Sequence, residues 1–521
     1  MAFADDCAVL CGGDDPEELL RKVQAVLDCL VEWGNTCGLE FNPTKTEAVF
    51  FTRTRHLPNR PLTIQNNAIP YRPQVRYLGI TLDRRLWWHD HVQNKITKAK
   101  RMLGALLSVT RGNWGPRPQI AHWIYTAMVR PSVTYAALVW AHDVTLVQTR
   151  TLLLRLDRMA SLAIAAVKAS TPSRGLSVVL GITPLHLHSA AVALATVSRY
   201  PSLRNLSWNG RANTARHSIS HRLHWNSLLN DSDIPPITDR LRTTAPLLNY
   251  RVLRDSFNGG SKYKQFSQIN VYTDGSRSDQ GVGSGFTIYE GSSLFFESSH
   301  SLPPSATVFQ AELTAIYLAA EHILSEIRTL RPRFIKVFID SRSALQALDS
   351  RRVKSSLVLQ TMNKLNELAT AARSVRLVWT KAHSGIRGNE AADLLAKRGA
   401  DPLSDSPPHT VLPAFGVARK KIASLCLSLW KREWSSYPGG RMTKHFLPEP
   451  NPTQVSPLIQ LDRVSLSQCI GFLTGHNDLR YHHSLRNPDI CNACRFCGGG
   501  AETSSQNLNY PYVETNVSCA S

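Results

Sequence analysis

The feature that most constrains the fold of this 521-residue chain is a change of hydrophobic pattern at Ile269. Three strand-like segments come first, and helical periods then alternate with strands as far as residue 398. Such an order predicts a mixed sheet with flanking helices. The predicted strands lie at 269–273, 282–289, 293–298, 334–339 and 375–380, and the predicted helices lie at 308–326, 342–349, 355–373 and 388–398. We therefore expect an α/β domain over residues 262–402.

Four acidic residues occupy informative places in this pattern. Asp274 and Asp340 follow predicted strands, whereas Glu312 and Asp393 lie in predicted helices, so all four can converge at one edge of the sheet. Clustered carboxylates repel one another unless a cation is bound, and all-oxygen ligands favour Mg²⁺ or Mn²⁺ over Zn²⁺. Two such ions a few Å apart can activate water and stabilise the leaving oxygen of a phosphodiester.

Each acid also has a plainer interpretation when it is taken alone. Asp340 precedes Ser341 at a strand-to-helix junction, where its side chain could serve only as an N-cap. Asp393 and Glu390 could simply make a helix face soluble. The hypothesis of a metal site therefore depends on the four acids as a set.

The segments that contain these acids resemble the motifs of the type 1 ribonuclease H family. The matching segments are, in chain order, Thr273–Ser276, Gln310–Leu313, Asp340–Ser341 and Trp379–Asp393. The resemblance extends over the whole predicted domain. It implies a ribonuclease H-like fold and an endoribonuclease that hydrolyses the RNA strand of RNA–DNA hybrids by a two-metal-ion mechanism.

The same resemblance implies roles for individual residues. The residues that would hold the Mg²⁺ or Mn²⁺ ions are Asp274, Glu312, Asp340 and Asp393. His383, on a glycine-containing loop before the last helix, would assist proton transfer at the leaving group, a task that suits a mobile, exposed imidazole. The residues that would lie near the hybrid backbone are Gly275, Ser276 and Asn389. The family distinguishes hybrid from DNA through 2′-hydroxyls in the wide minor groove.

The chain carries a large excess of positive charge, with a formal net charge of +21 and a pI of about 9.8. More than half of the excess lies between Arg53 and Pro131, where fourteen Lys and Arg accompany only two acids, Asp83 and Asp90. Ordinary surfaces mix both signs, so this basic segment predicts a nucleic-acid partner. The alternative is a solvated surface that binds nothing. The sequence leaves the oligomeric state open.

Near the N-terminus, two adjacent acids, Asp5 and Asp6, stand in an apolar segment where burial without a metal would be costly. Together with Gly38–Thr46 and Tyr77–His91 they resemble the polymerase of non-LTR retrotransposons, from late palm into thumb. The resemblance implies that Asp5 and Asp6 are vestigial, because the fingers and a further metal-binding Asp are missing. We expect a C-terminal fragment of a retrotransposon reverse transcriptase polyprotein.

The remaining segments complete a multidomain order. A partial palm is expected at 1–52 and a linker at 201–261. Between them, residues 53–200 should form a mostly helical, basic thumb and connection region that contains one strand at 75–81. The tail at 403–521 should hold one amphipathic helix near 417–436 and a degenerate zinc knuckle. Cys494 and Cys497 resemble the start of the zinc knuckle that ends such polyproteins, but no ligand occupies the two later positions of the family's motif, so zinc is not expected. Residues that could substitute, without the usual spacing, are Cys491, Cys519, His482 and His483.

Several classes of protein are excluded by what the sequence does not contain. We expect no signal peptide, no membrane-spanning segment and no disulfide framework, because the sequence shows none of their patterns. We expect an intracellular protein, cytoplasmic or nuclear, that is not secreted. Two rival functions are a catalytically silent nucleic-acid-binding remnant and a working reverse transcriptase, and the missing fingers argue against the second.

Overall fold

In a computed structural model, the chain forms two compact units. The first comprises Met1–Ala193 and Leu425–Ser521, and the second comprises Leu194–Ser424. The residues that the structure describes are 1–52, 60–108, 115–141, 144, 146–199, 238–253, 268–327, 334–452, 456–477, 479–484, 487–495 and 500–502. No helix within these ranges is long and apolar enough to cross a membrane.

The first unit begins with short antiparallel hairpins and one long helix. Three hairpins pair β1 (Ala2–Phe3) with β2 (Asp6–Cys7), β3 (Leu62–Ile64) with β4 (Asn67–Ile69), and β5 (Gln74–Tyr77) with β6 (Ile80–Asp83). Helix α1 (Pro16–Cys37) begins after Asp15, whose carboxylate accepts hydrogen bonds from two backbone N–H groups of the first turn. It ends at Gly38, whose φ of 69° is the left-handed conformation that glycine adopts without strain.

The segment 75–81, which the sequence predicted as one strand, is a hairpin, so that prediction was wrong. Leu78 and Gly79 have φ values of 46° and 78°, and they form the two-residue turn between β5 and β6. The apolar run continues through this turn, and leucine rarely adopts a positive φ. The pattern of side chains therefore gave no signal of the reversal.

Between residues 89 and 199 the described part of the chain is mostly helical. Its helices are α2 (His89–Ser108), α3 (Pro118–Ile124), α4 (Arg130–Val133), α5 (Ala137–Trp140), α6 (Val147–Ala165), α7 (Ser173–Val179) and α8 (Leu185–Arg199), with a π-helical turn at Tyr125–Val129. Their core includes the fully buried side chains of Tyr125, Trp140 and Leu153.

The second unit is built around a six-stranded mixed sheet. The described strands of this unit are β7 (Thr243–Thr244), β8 (Arg251–Leu253), β9 (Gln268–Arg277), β10 (Val282–Glu290), β11 (Ser293–Leu302), β12 (Phe334–Ile339), β13 (Arg352–Val353) and β14 (Ser374–Trp379), and six of them form the sheet. The sheet order is β11-β10-β9-β12-β14-β8, with antiparallel pairing from β11 to β9 and parallel pairing from β9 to β8. Strands β7 and β13 pair separately.

Four helices among the described residues flank this sheet, so the predicted mixed sheet with flanking helices is confirmed. They are α9 (Val308–Ser325), α10 (Arg342–Leu348), α11 (Ser356–Ala371) and α12 (Arg387–Ala400). The core contains Ile335, Val337 and Leu365, all buried. Helix α12 lies directly on β10. The contact is so close that a Cβ at Gly283 or Gly285 would come within 2.4 Å of the α12 backbone.

Residues 238–253 differ from the predicted linker. They supply β7 and the edge strand β8, and Tyr250 is buried in the core of the second unit. Strands of two and three residues are too short to produce a periodic pattern, which is why the sequence did not indicate them. The other parts of the predicted linker, 201–237 and 254–261, lie outside the described residues.

The tail contains more helix than the sequence predicted. The expected helix near 417–436 is α13 (Phe415–Ser435), and the described residues add α14 (Arg441–Phe446), α15 (Ser456–Gln460), α16 (Arg463–Thr474) and α17 (Arg480–Ser484). Near the expected knuckle, the N–H of Cys494 donates to the carbonyl of Gly500 at 3.0 Å. Cys497 and Cys519 lie outside the described residues.

Candidate active site

Strand register places two of the predicted acids side by side. Strands β9 and β12 are parallel, and Thr273 lies opposite Ile339 in the last pair of their ladder. The next residues are Asp274 and Asp340, so both carboxylates emerge at the same edge of the sheet. Asp340 does not cap helix α10, because the hydroxyl of Ser341 accepts the hydrogen bond from the first turn. The capping alternative for Asp340 is thus excluded.

Helix α9 brings the third acid to this edge. Its N-cap is Thr307, which forms a reciprocal capping box with Gln310, and Glu312 follows in the second turn. The helix passes so close to β9 that a Cβ on Gly275 would lie 2.4 Å from the backbone nitrogen of Glu312. Glycine at position 275 therefore allows the approach that sets Glu312 beside Asp274.

The carboxylate oxygens of Asp274, Glu312 and Asp340 all lie within 4.8 Å of one another. Burial, together with the nearby charges of Asp340 and Asp393, raises the pKa of Asp274 to about 7. Burial, and then Asp340 and Asp274, raise the pKa of Glu312 well above its ordinary range. Burial also raises the pKa of Asp340. Such a cluster holds full negative charge only when a cation compensates it.

A second group lies at the loop before α12 and on that helix. His383, Glu390 and Asp393 each offer a ligand atom within 4.8 Å of the others. His383 is exposed and has a φ of 50°, and it lies near enough to Asp340 to lower the pKa of that carboxyl. The Nζ of Lys397 lies 2.7 Å from Asp393 Oδ2 and keeps that carboxylate paired.

Glu390, which the sequence alone indicates only as a residue that could make the helix face soluble, belongs to this group. It precedes Asp393 by three positions on α12, so the two side chains share a helix face. Its Oε1 accepts a hydrogen bond from the N–H of Gly385 at 3.3 Å, which ties it to the loop that carries His383. The helical spacing to Asp393 was the only signal available in the sequence.

The three residues expected near the hybrid backbone occupy different environments. Gly275 is buried between β9 and α9, and its N–H hydrogen-bonds to the carboxylates of Asp274 and Glu312. Asn389 is buried, and its side chain hydrogen-bonds to Asp340. Ser276 is partly exposed on β9. Contact of these residues with a substrate stays a prediction.

The first group has the character of a divalent-cation site. Its donors are all carboxylate oxygens, the type that Mg²⁺ and Mn²⁺ prefer. Glu312 Oε2 is buried and has no hydrogen-bond partner among the described residues. A buried acceptor in this condition is costly unless something else satisfies it, and a cation would do so. The residues present therefore fit the predicted metal.

Asp5 and Asp6 are placed apart from these groups. They lie at the turn and second strand of the β1–β2 hairpin, and both are exposed. Among the described residues they belong to neither of the groups of potential metal ligands. Their vestigial role in a polymerase stays a prediction.

Part of the chain is similar to a known family and to known proteins. The RNase H family profile matches residues 267–401. The Retrovirus-related Pol polyprotein from type-1 retrotransposable element R1 of Nasonia vitripennis is 24% identical over 192 residues, covering 36% of this chain and 57% of that protein. The Putative 115 kDa protein in type-1 retrotransposable element R1DM of Drosophila melanogaster is 27% identical over 194 residues, covering 37% and 19% respectively. Among solved structures, the crystal structure of RNase H1 from Halobacterium salinarum NRC-1 aligns with 25% of this chain and 96% of its own chain. The sequence identity is 20% and the TM-score is 0.22.

The chain thus spans between 19% and 57% of the length of these two relatives. The family match covers strands β9 to β14, helices α9 to α12 and both acidic groups described above. Residues 267–401 are an RNase H domain, and the chain is a homologue of R1 retrotransposon Pol polyproteins.

Proposed function

We propose that residues 267–401 hydrolyse the RNA strand of RNA–DNA hybrids with two divalent metal ions, Mg²⁺ or Mn²⁺. The observation that carries the proposal is the convergence of Asp274, Glu312 and Asp340 within 4.8 Å, beside the group of His383, Glu390 and Asp393. Two adjacent groups of acidic ligands suit an enzyme that must stabilise both the attacking and the leaving oxygen of a phosphodiester.

Each residue has a distinct task in this proposal. Asp274, Glu312, Asp340 and Asp393 would hold the ions, which when bound supply Lewis-acid activation of water and of the scissile phosphate. Asn389 orients Asp340 through its hydrogen bond. His383 stands on the exposed side of the site, where its imidazole would deliver a proton to the leaving 3′-oxygen of the RNA.

We also propose that the chain acts as part of a non-LTR retrotransposon reverse transcriptase polyprotein of the kind found among its relatives. In this context the hybrid would be the product of reverse transcription. The basic segment between Arg53 and Pro131 would bind nucleic acid, and the partial palm with Asp5 and Asp6 would not polymerise by itself. A primer-extension assay checks the last point, for which we expect no extension by this chain.

A cleavage assay tests the nuclease. The full chain is incubated with a hybrid labelled on its RNA strand, with the same hybrid labelled on its DNA strand, and with the matched DNA duplex. We expect Mg²⁺- or Mn²⁺-dependent cutting of the RNA strand alone, abolished by EDTA. Binding of the hybrid without any cutting would instead support the silent remnant. Cutting of the DNA duplex at the same rate would contradict the proposed substrate.

A further inference from the structure

Two stretches outside the predicted limits of the RNase H domain meet at the N-terminal ends of two of its helices. Asp239 belongs to the stretch 238–253, and Leu412 lies ten residues beyond Pro402. Asp239 is only 8% exposed although it carries a carboxylate. A buried carboxylate is retained at a site only when donors surround it, so its partners indicate its task.

One oxygen of Asp239 caps helix α11. Oδ1 accepts hydrogen bonds from the N–H and the hydroxyl of Ser356, both at 2.6 Å, and from the N–H of Leu357 at 3.4 Å. These N–H groups are among those that have no partner within the helix. A negative charge at this end also interacts favourably with the helix dipole. Asp239 therefore acts as a cap supplied from a distant part of the chain.

The other oxygen of Asp239 faces helix α9. Oδ2 accepts a hydrogen bond from the hydroxyl of Ser355 at 2.6 Å and lies 3.5 Å from Gln310 Nε2. Gln310 is 1% exposed, and its Nε2 also donates to the carbonyl of Leu412 at 2.7 Å. The N–H of Asp239 donates in turn to the carbonyl of Pro413 at 2.7 Å. Gln310 is thus held by both stretches at once.

This arrangement bears on the acid that lies two residues further along α9. Helix α9 contacts β9 at Gly275 with no room for a side chain, so a small movement of the helix end changes where Glu312 lies relative to Asp274. Ligand groups must be held to within about 0.5 Å by their supporting residues if a site is to function. Gln310 is such a support, and Asp239 faces it.

We propose that Asp239 is a positioning residue for the acidic site. It fixes the N-terminal ends of α9 and α11, and through Gln310 it keeps Glu312 within ligand range of Asp274. The residues that position the site then extend to 238–253 and 403–414 and are not confined to 262–402. The inference rests on the proposed function only in taking the acidic group as a metal site.

The test measures Mn²⁺ binding by calorimetry on the full chain, together with melting temperature in EDTA. Asp239→Asn retains an oxygen for α11 but places an NH₂ donor where Oδ2 faces Gln310. We expect its melting temperature to stay near that of the wild type, while the Mn²⁺ dissociation constant rises about 10- to 100-fold, as for other residues that orient ligands. Gln310→Met removes the contact between Gln310 and Asp239 from the α9 side and should weaken Mn²⁺ binding by a similar factor. This second variant keeps the test decisive if Asp239→Asn folds poorly.

Tyr250→Phe is the matched control. Tyr250 belongs to the same stretch as Asp239, and its hydroxyl donates to the carbonyl of Leu348, at the end of α10. Its loss should lower the melting temperature without changing Mn²⁺ affinity. Unchanged affinity in both Asp239→Asn and Gln310→Met would overturn the proposal, as would an equal loss in Tyr250→Phe.

The same measurements separate this inference from the proposed function. A wild-type chain that binds Mn²⁺ through Asp274 but cuts no hybrid would contradict the proposed nuclease, while the affinities of the variants would still test Asp239. A wild-type chain that binds no Mn²⁺ beyond the level of Asp274→Asn would overturn the positioning role together with the metal site.

Discussion

His383 is the residue whose proposed role depends most on mobility. It lies on an exposed loop with a positive φ, beside Gly385, whose φ is 74°. A backbone in the left-handed region is strained for histidine, and such strain is retained most often at functional sites. Because His383 would move a proton and the acids would hold the metal ions, its loss should affect rate and leave metal affinity unchanged.

We predict that His383→Ala slows cleavage of the RNA strand roughly 10²- to 10⁴-fold without abolishing it, the usual contribution of a positioned acid or base. Water can replace the imidazole in part. The measurement is the single-turnover rate at saturating Mg²⁺, with Mn²⁺ affinity determined in parallel. A variant that cuts at the wild-type rate, or one that no longer binds Mn²⁺, would contradict this role.

The electrostatic strain of the acidic group predicts how stability depends on pH without metal. Burial raises the pKa of Asp274 from 3.8 to about 7, and the pKa values of Glu312 and Asp340 are raised as well. The native state therefore binds more protons than the unfolded chain between about pH 4 and pH 7. The contribution of these groups to stability is present at low pH and is lost as pH rises through this window.

We expect the melting temperature in EDTA, taken relative to that of Asp274→Asn, to fall as pH rises from about 4 to about 7. The subtraction removes the effects of acids elsewhere in the chain. Mg²⁺ should restore the melting temperature at pH 7 and above, because it binds the native state preferentially. A difference that stays constant or increases with pH would mean that Asp274 is not strained in the folded protein.

At the scale of elements, the packing of helix α12 against the sheet determines where Asp393 and His383 lie. An added Cβ on Gly285 would be 2.4 Å from the backbone nitrogen of Ala396 and 2.6 Å from the carbonyl oxygen of Ala392. Backbone atoms of a helix cannot move aside individually, so the whole helix would have to shift. The glycines of β10 thus couple the packing of the sheet to the geometry of the site.

We predict that Gly285→Ala lowers the free energy of unfolding by about 1–3 kcal/mol, the usual cost of overpacking, and reduces the cleavage rate. Urea denaturation and the hybrid assay measure the two effects. Gly416→Ala is the matched control, because no atom lies within 4 Å of its added Cβ and the residue is in helix α13. It should be neutral or stabilising by roughly 0.5–1 kcal/mol.

The long elements of the RNase H domain could be predicted because each has a strong period of its own. The predicted helix at 308–326 corresponds to Val308–Ser325, and the predicted strand at 334–339 is Phe334–Ile339. Short elements gave no such signal. Strand β8 has three residues, and its place beside β14 depends on tertiary pairing that no local pattern encodes.

The same contrast applies to the site. That Asp274, Glu312 and Asp340 lie close together could be predicted because two of them follow neighbouring strands and the third lies in a flanking helix, and their role as metal ligands stays a prediction. Asp239 could not, since its donors come from Ser355, Ser356 and Gln310, which are distant in sequence. A capping residue supplied from more than a hundred positions away has no pattern in its own neighbourhood.

At the scale of the molecule, the basic segment is not uniformly available to a partner. Arg130 is buried and donates to the carbonyl of Thr183 at 2.6 Å, so its role is structural. Arg76 and Lys98 are exposed. The pKa of Lys95 is lowered first by burial of Lys95 and then by the nearby positive charges of Lys98 and Arg76. Lys95 lies 4.4 Å from the ring centre of Tyr135, which gives this cluster an aromatic member.

We predict that the full chain carrying both Arg76→Glu and Lys98→Glu binds hybrid more weakly and with a shallower dependence on salt. Each lost phosphate contact reduces the slope of log affinity against log salt concentration by about 0.9 on B-form DNA, so a hybrid should show a change of similar sign and size. The control replaces Arg419 and Lys420, exposed residues of the second unit, with Glu. Equal slopes for the two double variants would favour a surface that binds nothing.

The most direct test of the central claim, that the clustered carboxylates make this domain a metal-dependent ribonuclease H, is cleavage by Asp274→Asn. The substitution removes a ligand and one source of charge repulsion, so the variant should fold at least as stably as the wild type in EDTA. We predict that the purified full chain cuts the RNA strand with Mg²⁺ and that Asp274→Asn, with an unchanged circular dichroism spectrum, does not. Cleavage by the folded variant at near the wild-type rate would contradict the account.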